Sequence, residues 1–196
     1  EVGVRTLAIP NLQSSLTFWA LRLQSELVWD GDSGTTVPSP DPDLRQGVDW
    51  ANYYTPTKWL TIDADFATST AHFLNNPVGG NYVPEAARMV IASGVTVHDV
   101  CGWTGSLRWR YFGPRYLTQD GSQMSPGTSL LYYHLAYKID KNWLIEGDIF
   151  NLLNTKADDI TYYYTYRLQP TAAAVSGDLF HPVEPRTFRL MLTARF

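Results

Sequence analysis

Arg186-Thr-Phe-Arg-Leu-Met-Leu-Thr-Ala-Arg-Phe196 closes the chain and alternates strictly between two chemistries. In an extended backbone successive side chains point to opposite faces. Phe188, Leu190, Leu192, Ala194 and Phe196 therefore fall on one side, and Thr187, Arg189, Met191, Thr193 and Arg195 on the other. A soluble sheet would need a second protein layer over the apolar side. A strand with lipid on one side and a wet lumen on the other needs none, and this pattern is its signature.

Working outward, the same period of two divides the chain into about nine extended segments. Residues 2–9 end in Pro10-Asn11, and residues 14–29 place Thr17, Trp19, Leu21, Leu23 and Leu27 against Ala20, Arg22, Gln24 and Glu26. Val48, Trp50 and Tyr54 oppose Gly47, Asp49 and Ala51, and Leu60, Ile62, Ala64 and Phe66 oppose Thr61, Asp63 and Asp65. Beyond a strand at 86–97, Trp103, Leu107, Trp109 and Tyr111 alternate with Thr104, Ser106, Arg108 and Arg110. Leu131, Tyr133, Leu135, Tyr137 and Ile139 align in the next segment, and Trp143, Ile145, Gly147 and Ile149 oppose Glu146 and Asp148 in the one after. Tight turns near 10, 57, 100 and 141 alternate with long Gly-, Pro- and Asn-rich connections at 30–43, 74–84, 113–125 and 154–185. Short turns on one side and long loops on the other are the habit of outer-membrane barrels, whose strands need about 10 residues to cross an apolar band. Trp29, Trp50, Tyr53, Tyr54, Trp59, Trp103, Tyr111, Phe112 and Trp143 gather near strand ends. An apolar ring with a polar tip suits a membrane interface there.

Composition narrows the classes. Charged residues are only 17% of the 196, yet Trp numbers seven and Tyr twelve. The net charge of −4 includes no basic block, which argues against nucleic acid. Cys101 is the single cysteine, so an internal disulfide is excluded, and it reads as a small half-buried residue near a turn. No run reaches the ~18 apolar residues of a membrane helix, a test that barrel strands evade. Glu1-Val-Gly-Val-Arg-Thr6 has no initiator Met, basic segment or apolar segment of a secretory signal, so the chain is expected to begin within a larger protein.

Three phrases carry a resemblance: Leu107-Arg-Trp-Arg-Tyr-Phe-Gly-Pro114, Asp148-Ile-Phe-Asn-Leu-Leu-Asn154 and the terminal strand ending in Phe196. In this order the chain resembles the last strands of TonB-dependent outer-membrane receptors. The resemblance implies a 22-stranded barrel plugged by an amino-terminal domain. It also implies import of a scarce ligand, such as a ferric siderophore or cobalamin, with energy from an inner-membrane complex. On that reading, residues 1–196 form the carboxy-terminal portion of the barrel, the plug is absent, and the TonB complex is a partner only through that plug. The barrel-assembly machinery would read Phe188, Leu190, Leu192 and Phe196 as its signal.

The expected fold is therefore all-β: an antiparallel, up-and-down transmembrane barrel of about eight or nine strands, partial and open, in the Gram-negative outer membrane. Its lumen side would hold Arg22, Glu26, Asp63, Asp65, Arg108, Arg110, Glu146, Asp148, Arg189 and Arg195. The same-side pairs Asp63/Asp65 and Glu146/Asp148 read as a solvated wall rather than acid/base machinery. His72, His98, His134 and His181 lack metal-ligand spacing, and Asp30-Gly-Asp-Ser-Gly34 lacks the Gly and Glu of a calcium loop, so it reads as a surface turn. No nucleophile elbow, phosphate loop or dinucleotide fingerprint occurs, so no enzyme, cofactor or metal is expected. Tyr162, Tyr163, Tyr164, Tyr166 and Arg167 are candidate extracellular contacts for a small-molecule ligand, by stacking and hydrogen bonding. The sequence leaves two rivals open. One is a complete eight-stranded barrel with an adhesive or structural role, whose first and last strands would pair. The other is a soluble sandwich or lipocalin-like binder, whose apolar side would be covered.

Overall fold

The computed structural model describes residues 1–30, 35–39, 41–75 and 80–195, so most of the Asp30-to-Gly34 turn, and Phe196, lie outside the described residues. Thirteen strands follow in chain order: β1 (Val2–Thr6), β2 (Leu12–Leu23), β3 (Leu27–Asp30), β4 (Thr35–Pro38), β5 (Asp43–Thr57), β6 (Leu60–Phe73), β7 (Met89–Val100), β8 (Trp103–Phe112), β9 (Thr128–Lys138), β10 (Trp143–Phe150), β11 (Asp158–Tyr166), β12 (Val175–Pro182) and β13 (Thr187–Ala194). Nine of them form one antiparallel sheet in the order β1-β2-β5-β6-β7-β8-β9-β10-β13. The β3–β4 and β11–β12 pairs are separate hairpins set into two of the long connections. β1 and β13 stand at opposite edges, so the sheet is an open section of an up-and-down barrel and the eight-stranded closed alternative is not formed.

Turns and connections alternate as expected. Short turns occupy 7–11, 58–59, 101–102 and 139–142, and long connections occupy 24–42, 74–88, 113–127 and 151–186. Val100 pairs with Trp103, leaving Cys101 (φ 52°) and Gly102 (φ 83°) as the central residues of a two-residue hairpin turn that demands positive φ at both. Cys101 is exposed there, not half-buried. At the next short turn the Asp140 carboxylate accepts the backbone N–H groups of Asn142 (2.7 Å) and Trp143 (2.9 Å), while the Asn142 amide donates to the Arg195 carbonyl at 2.7 Å. One short segment thus closes a hairpin and ties down the last strand.

Residues paired across an antiparallel sheet share a face, so register sorts the side chains. One face carries Arg5, Asp43, Arg45, Asp49, Asp63, Asp65, Arg108, Arg110, Lys138, Glu146, Asp148 and Arg189. The opposite face carries Leu16, Phe18, Trp50, Ile62, Phe66, Val95, Leu107, Trp109, Leu131, Ile145 and Leu190, and its only charged residue within the described registers is Arg22. Among the described residues no second layer covers it: Phe188, Leu190 and Leu192 are 69%, 78% and 60% exposed. The dry interior is a small cluster of Ala71, Phe73 and Val83 at the long-connection end, with Val28 and Ala86 against it. A soluble sandwich would bury the apolar face; this sheet does the reverse.

The first long strand departs from the expectation. β2 ends at Leu23, and Leu27 to Asp30 belong to the β3–β4 hairpin, so residues 14–29 are not one strand and Glu26 lies between strands. Within β2 the faces are reversed. Trp19 pairs with Gly47 on the polar face, while Arg22 pairs with Leu44 on the face of Phe18. The cause is steric. A Cβ at Gly47 would lie 2.7 Å from the Trp19 ring, so the indole fills the space that only glycine leaves open. Arg195 follows the last residue of β13 and is held through its backbone by Asn142 rather than by a strand pairing.

Candidate functional site

The polar face is organised by ion pairs that cross strands. Asp63 on β6 and Arg108 on β8 are two strands apart, with Gly94 on β7 in the row between them. The guanidinium donates twice to the carboxylate, at 2.9 Å and 3.3 Å, passing over Gly94, where a Cβ would come within 3.0 Å of the Asp63 oxygen. The neighbouring row is Asp65, Ala92 and Arg110, and among the described residues it forms no ion pair. The Ala92 methyl occupies the place that Gly94 leaves vacant. Farther along, Asp148 on β10 accepts from Arg189 Nε at 2.9 Å and lies 2.8 Å from His134 Nδ1, so three adjacent strands share one carboxylate. The Arg189 guanidinium also rests 5.2 Å from the Phe150 ring.

These groups border a groove of about 410 Å³ lined by Ser106, Arg108, Arg110, Tyr132, His134 and Asp148. Fixed guanidinium and carboxylate groups side by side give a wet wall that can hold or pass a charged solute. Toward the long-connection end, Arg45 pairs with Glu26 and lies 3.5 Å from the fully buried Asp43. Among the described residues, no three His, Cys, Asp or Glu side chains converge as a metal site.

The Asp148-to-Asn154 phrase has a structural meaning that its spelling hides. Asn151, 2% exposed and at φ 50°, donates its amide to the carbonyls of Thr155 and Glu184 at 3.0 Å each and accepts the Thr155 N–H at 2.8 Å. Asn154, also at positive φ, accepts the Arg186 N–H at 3.0 Å. The two asparagines therefore clasp both ends of the excursion that bears the β11–β12 hairpin.

That hairpin divides the expected Tyr cluster. Tyr162, Tyr164 and Tyr166 alternate onto one side of β11, Tyr163 onto the other, and Arg167 follows the strand. Trp29, from the β3–β4 hairpin, lies 4.5 Å from the Tyr162 ring and 6.3 Å from that of Tyr164, and Tyr164 lies 6.1 Å from Tyr166. The two hairpins spring from strands six places apart in the sheet order, about 29 Å across a flat sheet. Their contact therefore requires the sheet to curve and spans its concave side.

Between the other long connections, Glu85 (φ 63°) donates its N–H to the Tyr116 carbonyl, and its carboxylate lies 3.6 Å from Arg115. Burial pushes Glu85 up to about 7, the guanidinium only partly opposing it. In the same loop Asp120 is held below the usual carboxylate range by the hydroxyl of Thr118 and by the N–H and hydroxyl of Ser122.

Of the expected polar-face residues, the structure brings together Asp63 with Arg108 and Asp148 with Arg189; Asp65, Arg110 and Glu146 share their face, and Arg22 lies opposite. His134, read from the sequence as a lumen or loop residue, lies on the charged face beside Asp148. Arg45, Trp29 and Asn151 are the participants that sequence reasoning missed. Period two could have supplied Arg45, which keeps step with Asp43 and Asp49; the other two are recognisable only through partners distant in the chain.

No family model and no curated protein matches the chain. Solved structures do match its fold. The ferric-catecholate import receptor Fiu of E. coli K12 aligns with a TM-score of 0.73 at 17% identity, over 99% of this chain and 27% of its own. The copper transporter OprC aligns with a TM-score of 0.71 at 18% identity, over 99% of this chain and 31% of its own. The ferric citrate transporter FecA aligns with a TM-score of 0.69 at 16% identity, over 99% of this chain and 30% of its own. The chain thus spans about a quarter to a third of the length of the structures it matches. Fiu and FecA are TonB-dependent receptors, so the fold is similar to part of the barrel in the family that the terminal phrases resemble.

Proposed function

We propose that the chain is the carboxy-terminal part of a TonB-dependent receptor barrel in the Gram-negative outer membrane, its Leu190 face toward lipid and its Asp148 face toward the lumen. The carrying observation is the partition of charge: twelve charged side chains share one face of the paired strands, while Arg22, near the long-connection end, is alone on the other. A charge on the lipid side costs about 2–4 kcal/mol at the bilayer midplane and little near its edge. The short turns then lie on the periplasmic side and the two hairpins outside the cell.

The parent would import a scarce ligand such as a ferric siderophore or cobalamin, with the groove near Arg108 and His134 forming part of the lumen wall. Tyr162, Tyr164 and Tyr166, joined by Trp29, would face arriving ligand, with Tyr163 and Arg167 on the margins of that surface. The TonB complex would act only through a plug in the parent, and Phe188, Leu190, Leu192 and Phe196 would guide barrel assembly. Spin labels test the facing. With Cys101→Ser as background and the chain reconstituted in vesicles, labels at Leu107→Cys and Leu190→Cys should meet dissolved oxygen preferentially, and labels at Ser106→Cys and Met191→Cys a water-soluble nickel chelate. Equal access of both reagents to both faces would defeat the proposal.

A further inference from the structure

We propose that the cavity between the 74–88 and 113–127 connections is a binding site for a single-ring aromatic carboxylate, with Arg88 holding the acid group and the Tyr82–Tyr116 pair holding the ring. The two connections are knit together at the long-connection end of β6. The Tyr82 N–H donates to the Gln119 carbonyl at 3.0 Å and the Glu85 N–H to the Tyr116 carbonyl at 2.9 Å, while Val83 and Leu117 are both buried. The Tyr82 ring packs where Gly121, at φ 70°, carries no side chain, since a Cβ there would lie 2.9 Å from it. Tyr82 stacks on Tyr116 with centroids 3.8 Å apart, and the His72 ring lies 5.1 Å from Tyr82. These rings, Arg88, and Ala71, Val83 and Ala86 of the dry cluster border a cavity of about 170 Å³. The liquid volume of about six waters suits one ring with its acid group and is too small for a bulky chelate.

The cation is fixed at both ends and has no acidic partner. Arg88 stands opposite Ser69 on the charged side of the sheet, where its carbonyl accepts the Ser69 N–H and the Thr68 hydroxyl, each at 3.0 Å. Its guanidinium lies 4.6 Å from the Tyr116 centroid and makes no ion pair among the described residues. The acids of the two connections are engaged elsewhere: Glu85 faces Arg115, and Asp120 accepts from Thr118 and Ser122 within its own loop. A guanidinium resting over a ring keeps its N–H edge for two parallel bonds to an oxyanion, and little freedom remains for it to lose on binding. The apolar floor decides which oxyanion. A phosphate dianion would leave charge against Ala71, Val83 and Ala86, which offer no side-chain donor. A carboxylate instead gives its single charge to the fork and sets its ring on that floor and against the tyrosines. On the reading above, both connections lie outside the cell, where an arriving solute meets them first. The site itself does not depend on which face meets lipid.

Fluorine NMR of the full chain in neutral maltoside micelles, referenced to empty micelles, tests this with three probes: para-fluorobenzoate, para-fluorobenzyl alcohol, which lacks the charge, and trifluoroacetate, which lacks the ring. The benzoate should bind at least tenfold more tightly than either of the others. Arg88→Gln should lower its affinity at least tenfold, Arg88→Lys should lower it less, and Lys141→Ala, in a short turn at the far end, should leave it unchanged. Heat-modifiable gel mobility identifies variants that fold, and the comparison of probes on the parent chain keeps the test decisive if Arg88→Gln does not. Equal binding of the alcohol would mark a plain apolar cavity, and equal binding of trifluoroacetate, or displacement of the benzoate by equimolar inorganic phosphate, would mark a general anion site. Each of these overturns the proposal, as does unchanged affinity in folded Arg88→Gln or the absence of saturable benzoate binding. Spin labels that refute the lipid-facing reading would leave this result standing, so the two fail separately.

Discussion

Replacing Asn151 should do more damage than any exposed polar substitution, because a single buried side chain clasps both ends of the β11–β12 excursion. Asn151→Ala removes three hydrogen bonds of 2.8–3.0 Å and leaves the Thr155 and Glu184 carbonyls and the Thr155 N–H without that partner in a site 2% exposed. Each net bond contributes about 1 kcal/mol, and forcing Ala into the left-handed conformation at φ 50° adds about 1 kcal/mol. The expected loss is about 4 kcal/mol. Asn151→Gly loses the same bonds but tolerates the backbone, so it should lie about 1 kcal/mol above the Ala variant. Urea titration of the full chain in maltoside micelles, followed by Trp fluorescence, measures both, and limited proteolysis should show faster cleavage within 155–184. An Ala variant within about 1 kcal/mol of the parent, or a Gly variant less stable than the Ala variant, would refute the clasp.

Leu190→Arg should cost about 2–4 kcal/mol in vesicles and Met191→Arg less than about 1, because adjacent residues on β13 face opposite solvents; urea titration of the reconstituted chain separates them. Glu85 binds its proton more tightly in the folded chain, at about 7 against an ordinary 4.5, so stability should fall as pH rises through that window and level off above it. Solvent screening at this half-buried carboxyl holds the effect to about 2 kcal/mol, and Glu85→Gln should flatten the slope in denaturation measured from pH 4 to pH 8. Trp29→Ala should separate the two hairpins, losing about 1 kcal/mol of ring contact beyond buried area and accelerating proteolysis in both 24–42 and 151–186; unchanged cleavage in either would contradict their contact.

Strands such as β8 and β13 were legible because each puts apolar side chains on one face and arginines on the other, so a single period settles the facing. β2 was not, because Leu16 and Phe18 on one side and Trp19, Leu21 and Leu23 on the other are all apolar, and only the bare backbone of Gly47 decides where the indole lies. The candidate site shows the same divide. Asp63, Arg108, Asp148 and Arg189 could be assigned to one wall from their own strands, but which carboxylate meets which guanidinium depends on lateral register, and on glycine rather than alanine in the row between.

By itself the sequence determined the strand period, the alternation of short and long connections and the side of the sheet that takes charge, because these are local properties of the chain. Only the tertiary structure decided that Trp29 meets Tyr162 across the concavity of the sheet and that Asn151 holds the ends of a distant loop. Those outcomes depend on residues brought together across strands, where distance along the chain carries no information about distance in space.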